Sequence, residues 1–195
     1  MRPRRSQSVF LLALIVSALA PPRLAHDGAQ PLEEHTLKAL YTYQLGKVTE
    51  WPATKLTPSE ANLNFCILGK NPFGSSALDA IQNKWVQGRP LRIEIYPSGL
   101  LSKEAIVTCH ILFISESEKS RFRSILAQLH GSPVLTVSDI DNFAAQGGMI
   151  ALVKLQEQVR LEINSMALRQ SGLAVSSKLL ELAKLVPEPR PGAPR

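Results

Sequence analysis

Two cysteines, four histidines and an aromatic content of 6% leave this 195-residue chain short of the material of redox, metal and stacking sites. Cys66 and Cys109 make no Cys-x-x-Cys pair, which removes the usual mark of a thiol-redox enzyme. His26 lies near the start, and His35 and His130 have no second ligand at metal spacing, so no metal site is expected. The lysine-serine/threonine of a phosphate loop is missing after Gly69 and Gly74, and Gly147-Gly148 is too little for a nucleotide cradle. No serine sits in a Gly-x-Ser-x-Gly elbow. Cys109 and His110 are adjacent, but neighbours on a strand point to opposite faces and make no dyad. Ser138-Asp139 and Asp141 fall at a strand end, where α/β proteins often place sites, yet these residue types also cap turns and helix starts. Glu33-Glu34-His35 reads as a solvated helix start. No enzyme and no cofactor are expected.

The chain also lacks an apolar run long enough for a membrane span, which needs about 20 residues. What it has is shorter: Val9 to Ala20, broken only by Ser17, after Arg2, Arg4 and Arg5. A basic head, a short apolar core and small residues make a secretory signal peptide over residues 1–25, with cleavage between Ala18 and Ala25. The chain is therefore expected to be exported, with no membrane insertion after processing. Arg2, Arg4, Arg5 and Arg23 leave with that leader, so a formal net charge of +6 falls to +2. No later lysine-arginine cluster is interleaved with aromatics, so nucleic acid is not an expected partner.

The remainder suits one domain over residues 33–186. Residues 133–164 organise it. Val134–Val137 is a short apolar run, Gly147-Gly148 marks a loop, and Met149–Val153 is a second run. Then Val159, Leu161 and Ile163 alternate with Arg160, Glu162 and Asn164, the pattern of a half-buried strand in a hairpin. Upstream, Leu37, Leu40, Tyr41, Gln44, Leu45 and Val48 make a helical stripe that ends at Trp51-Pro52. Tyr41, Tyr43 and Trp51 read as core, with Trp51 plugging the helix end. Strands at Leu63–Leu68, Leu91–Ile95 and within Ile106–Ser115 alternate with helices from Asn71-Pro72 to Asn83 and from Glu116 to His130. One last helix is expected over Ser165–Leu185, interrupted near Gly172, before a disordered proline-rich tail, 187–195. This is a single α/β domain: a mixed, mostly parallel sheet, an antiparallel C-terminal hairpin and helices on both faces. In such a sheet the first and third strands are often neighbours. That would bring Cys66 and Cys109 together as a disulfide in an oxidising compartment, the alternative being two buried thiols.

Tyr41–Pro52 (YTYQLGKVTEWP), Phe65–Gly69 (FCILG), Pro72–Gly74 and Cys109–Ile114 (CHILFI) resemble successive blocks of the YfiR family. So do Val134–Asp139 (VLTVSD), Gly147–Ile150, Arg160–Asn164 (RLEIN) and Gly172–Leu180 (GLAVSSKLL). The resemblance implies a periplasmic repressor of an inner-membrane diguanylate cyclase, which lowers cyclic-di-GMP and biofilm or exopolysaccharide output. It also implies a homodimer, and sequestration by an OmpA-like peptidoglycan-binding outer-membrane lipoprotein. Some relatives carry a further cysteine pair around the Gly-Gly-Met segment, where Ala144 and Ala151 stand here. The outward row Arg160, Glu162 and Asn164 is the candidate partner surface. The competing function is a solute-sensing accessory subunit of another receptor, such as a histidine kinase.

Overall fold

The computed structural model describes residues 34–58, 61–100, 102–156 and 158–187. The chain divides into the units Met1–Pro31 and Leu32–Arg195, and every described element lies in the second. The expected signal peptide, 1–25, and all but the first residue of the expected tail, 187–195, lie outside the described residues.

The elements run in order α1 (Glu34–Val48), β1 (Thr49–Glu50), β2 (Leu63–Leu68), α2 (Ser75–Ile81), β3 (Trp85–Val86), β4 (Arg89–Tyr96) and α3 (Lys103–Thr108). There follow β5 (Ile111–Ile114), α4 (Phe122–Gln128), β6 (Leu135–Ser138), β7 (Ile150–Leu155), β8 (Gln158–Ile163), α5 (Ser165–Gln170), β9 (Ala174–Val175), α6 (Ser177–Leu182) and β10 (Lys184–Leu185). Eight strands form one mixed sheet in the order β10-β8-β7-β6-β5-β2-β4-β3. The neighbours from β7 through β4 are parallel, while β8 returns antiparallel along β7 as the hairpin. β1 and β9 pair separately, antiparallel.

Burial explains the strand sequences. β5 and β6 are buried along their whole length because helices cover both faces; β5 reads as an unbroken apolar run, while β6 carries Thr136 and Ser138, whose hydroxyls are hydrogen-bonded. In β2, Phe65 and Ile67 enter the core under α1 and α2, while Cys66 and Leu68 enter the core under α3 and α4. Phe73 packs edge-on against Phe113 at 4.6 Å in the first of these cores, a favourable aromatic geometry. β8 alternates as expected, with Val159, Leu161 and Ile163 buried. α1 rests on the sheet through Ala39, Thr42, Leu45 and Gly46, and most of the larger stripe residues lie half-buried on its flank. Small residues let it approach closely: a Cβ on Gly46 would sit 2.9 Å from Ile111 Cδ1.

Several expected boundaries are corrected. The helix expected over Ser165–Leu185 with an interruption near Gly172 is instead α5, β9, α6 and β10. α5 stops at Ser171-Gly172, where Gly172 takes φ 68°, a left-handed value that ends a helix. The chain then pairs as β9 with β1, and Ser176 restarts it by accepting the Leu179 N–H in an N-cap. The helix expected from Glu116 to His130 is a 3-10 turn at Glu116–Glu118 followed by α4. The helix expected from Asn71 begins at Ser75, since Asn71 Oδ1 accepts the Phe73 N–H in a turn instead. α3, capped by Ser102, and the short edge strand β3 carry too little periodicity to be read beforehand. Among the described residues no helix is long and apolar enough to cross a membrane.

Candidate functional site

The candidate row lies on β8, near one end of the sheet. Arg160 is exposed, and its Nη2 donates to Gln158 Oε1 at 2.6 Å. Glu162 is half-buried and pairs with Lys184 at 2.7 Å, directly across the β8–β10 register. Asn164 serves the fold instead. Its Oδ1 accepts the Ala167 N–H at 3.0 Å to cap α5, and its Nδ2 donates to Ala144 O at 2.9 Å. The row is therefore two surface charges and one cap.

Beside it the sheet edge is apolar. Leu155, Leu182 and Leu185 are 58%, 74% and 48% exposed, too much for core residues. A cleft of about 360 Å³ opens between α1, β8 and α6, walled by Tyr41, Leu45, Val48, Val159, Leu161 and Leu179. A second hollow of about 480 Å³ lies round the edge, where Val153, Leu155, Glu162 and Lys184 meet Leu182. Contiguous apolar surface rimmed by charge marks a protein-binding or ligand-binding place.

The other candidates resolve into structure. Ser138 Oγ donates to Ile114 O at 2.6 Å and accepts the Ile140 N–H at 3.0 Å, which makes the capped turn. Asp139 pairs with Lys38 at 3.1 Å, and Lys38 with Glu34 at 2.8 Å, tying α1 to the end of β6. Lys154 reaches the other Glu34 oxygen at 3.0 Å. Gly147 (φ 104°) and Gly148 turn the chain beneath Phe143 and make no cradle. Gly69 (φ 92°) has no room for a side chain because the Ser117 hydroxyl and the buried Glu118 carboxylate fill the space above it. The crevice between β2 and β5, where doubly wound sheets often bind ligands, is thus occupied by the protein's own side chains, with Ser98 hydrogen-bonded to Glu118. Cys109 and His110 diverge: His110 accepts the Asn64 N–H on Nδ1 at 3.0 Å and meets Trp51 edge-on at 6.2 Å. Cys109 turns the other way and is bonded to Cys66, with the Cα atoms 5.8 Å apart and both residues fully buried. The four-residue Glu34–Lys38–Asp139–Lys154 network was not legible in the sequence, because its members lie up to 120 positions apart (34 to 154).

That network predicts a pH dependence. Hydrogen bonds from Lys38 and Lys154 hold the Glu34 carboxyl below its ordinary 4.5. Burial alone would lower the Lys38 ammonium, but its contacts with Glu34 and Asp139 outweigh it and raise the group above 10.5. A depressed carboxyl stabilises the fold above 4.5 and loses that contribution as pH falls through its folded value; the raised amine loses its share as pH rises through its own. Glu34 is 37% exposed, so screening limits its share to a few tenths of a kcal/mol. Urea melts across the acid limb should show Glu34→Gln less stable at neutral pH and converging on wild type in acid. A constant difference down to the lowest pH would remove the ion pair as the cause.

A family model described as YfiR/HmsC-like matches residues 35–184, and the chain belongs to that family. At family level these are periplasmic, regulatory proteins of diguanylate cyclase signalling. A solved structure titled as the ABC domain in complex with L-Trp from Streptococcus pneumonia aligns at 12% identity with a TM-score of 0.49. The alignment covers 74% of this chain and 60% of that one, so the chain spans about three-fifths of that structure's length. A likeness of that size fixes neither fold nor ligand.

Proposed function

We propose that this protein is exported, binds the periplasmic domain of an inner-membrane diguanylate cyclase and holds the cyclase inactive. The observation that carries the reading is family membership across the whole folded unit, residues 35–184. The β8 edge supports it, because exposed Leu155 and Leu182 line one hollow with Arg160 and the Glu162–Lys184 pair. Asn164 is left to its cap. Release by an OmpA-like outer-membrane lipoprotein and association into a homodimer belong to the same proposal. A second reading, a solute-sensing subunit for another receptor such as a histidine kinase, draws on the cleft between α1, β8 and α6, which has the size of a small-molecule site.

Deleting the gene should raise cellular cyclic-di-GMP, and the exported protein should reverse the rise. No rise where the gene is expressed would favour the receptor-subunit reading. Glu162→Lys should relieve repression while costing the fold about 1 kcal/mol or less, since the pair it breaks is at the surface. The double variant Glu162→Lys, Lys184→Glu restores the local pair with its charges inverted. If the partner reads the Glu162 charge, the double variant stays derepressed; recovered repression would mean that Glu162 only positions β10.

A further inference from the structure

We propose that the uncovered part of the β8 edge accepts an added strand, supplied by an extended partner segment in which apolar and acidic side chains alternate. The inference rests on the repressor reading for the identity of the site, and states what the partner presents to it.

β10 lies beside β8 only at Glu162 and Ile163, which pair with Lys184 and Leu185. Beside Gln158–Arg160, no strand pairs with the outer side of β8 among the described residues. The backbone alternates along this edge. Asn164 N–H donates inward to Met149 O at 2.8 Å, while Ile163 C=O accepts outward from Val186 N–H at 2.8 Å. Strand periodicity then turns the N–H and C=O of Val159 outward, while those of Arg160 turn toward Val153 of β7. An open strand edge next to apolar surface is a template for strand addition: main-chain bonds hold the guest and alternate side chains select it.

The two faces of this open position differ. On the α1 side lies the apolar cleft, lined by Tyr41, Leu45 and Val48. On the other side stands Arg160, with Val153 directly across the hairpin. Glu162 is already matched by Lys184, whereas Arg160 donates to the neutral amide of Gln158. Among the described residues, Arg160 has no carboxylate set against it on that face. A strand laid here sends successive side chains to opposite faces. The guest that fits places apolar residues in the cleft and carboxylates toward Arg160, which is an alternation with period two. A helical guest would not present that period.

The test uses the mature chain and two synthetic peptides of equal composition. One alternates, acetyl-Leu-Glu-Val-Glu-Leu-amide, and the other is blocked, acetyl-Leu-Leu-Val-Glu-Glu-amide. Amide exchange is followed by NMR. The alternating peptide should slow exchange at Val159 about tenfold or more and leave Arg160 nearly unchanged, and Arg160→Glu should weaken it about tenfold. Equal protection by both peptides, or an unaltered Val159 amide at millimolar peptide, would overturn strand addition. The periplasmic domain of the cyclase that the repressor reading requires is then added in place of peptide. A complex that leaves Val159 unprotected overturns strand addition and keeps the repressor reading. A Val159 protected by peptide in a chain that ignores the cyclase domain does the reverse.

Discussion

Gly148→Ala is expected to lower the stability of the fold by about 3 kcal/mol, the upper part of the range for overpacking a tight core. The cause is steric. A Cβ at this position would stand 2.6 Å from Cζ of the Phe143 ring, with two other ring carbons nearer still. The ring has nowhere to go: Phe143 is fully buried, lies 5.6 Å from Phe122 by ring centroids, and has buried Ile140 and Ala144 beside it. Gly148 cannot retreat either, because its N–H donates to Phe143 O at 3.0 Å and the next residue, Met149, is tied to Thr136 Oγ1 at 3.0 Å. Gly147 offers the control. Its φ of 104° strains any other residue, yet a Cβ there meets only Leu126 Cδ1 at 3.9 Å, so Gly147→Ala should cost about 1–3 kcal/mol as backbone strain alone. Adding Phe143→Leu should recover part of the loss in Gly148→Ala and none in Gly147→Ala. Urea melts measure all four variants. A Gly148→Ala chain within about 0.5 kcal/mol of wild type, the range of ordinary surface changes, would refute the steric account.

This loop shows how far the sequence could be read. The strands on either side were legible because burial on both faces, or on one, leaves a direct imprint on residue order. β5 is apolar throughout, β6 is buried throughout with Leu135 and Val137 apolar, and β8 alternates. The short helices were not legible: α3, α5 and α6 have six residues each, too few for a 3.6-residue period to establish itself. In the C-terminal region the interruption near Gly172 was legible from the glycine, but the two-residue strands β9 and β10 were not, since they are too short to show a period. Of the candidate surface, the outward direction of Arg160 and Glu162 followed from alternation alone. The cap at Asn164 did not, because it depends on where β8 gives way to α5. The apolar cleft depends on α1 and α6 meeting β8, a tertiary fact with no local signature.

Removing both sulfurs, by Cys66→Ala with Cys109→Ala, is expected to cost about 2–4 kcal/mol, because the bond closes a long loop in the unfolded chain. The cysteines are 43 residues apart. Serine in their place should cost more, by about 1–3 kcal/mol for each buried hydroxyl left without a partner. Both positions are fully buried, among Leu68, Leu112 and Ile106. The bond reinforces a joint that Asn64 of β2 also ties, through its N–H to His110 Nδ1 at 3.0 Å and its Nδ2 to Thr108 O at 3.1 Å. Cys66 is in the centre of β2, whose neighbour across the sheet is Leu112, whereas Cys109 closes α3 before β5 begins. The disulfide thus fastens the α3–β5 corner to the middle of the sheet. Burial also bears on function. A thiol reductant must reach a sulfur to attack it, so reduction of the native protein should follow opening of the core and accelerate with urea in step with unfolding. Under the proposed repressor function, the alanine pair should then hold cyclic-di-GMP at the wild-type level at temperatures where it remains folded, and fail only near its lowered midpoint. Rapid reduction without denaturant, or a folded alanine pair that no longer represses, would make the bond a redox control and not a brace.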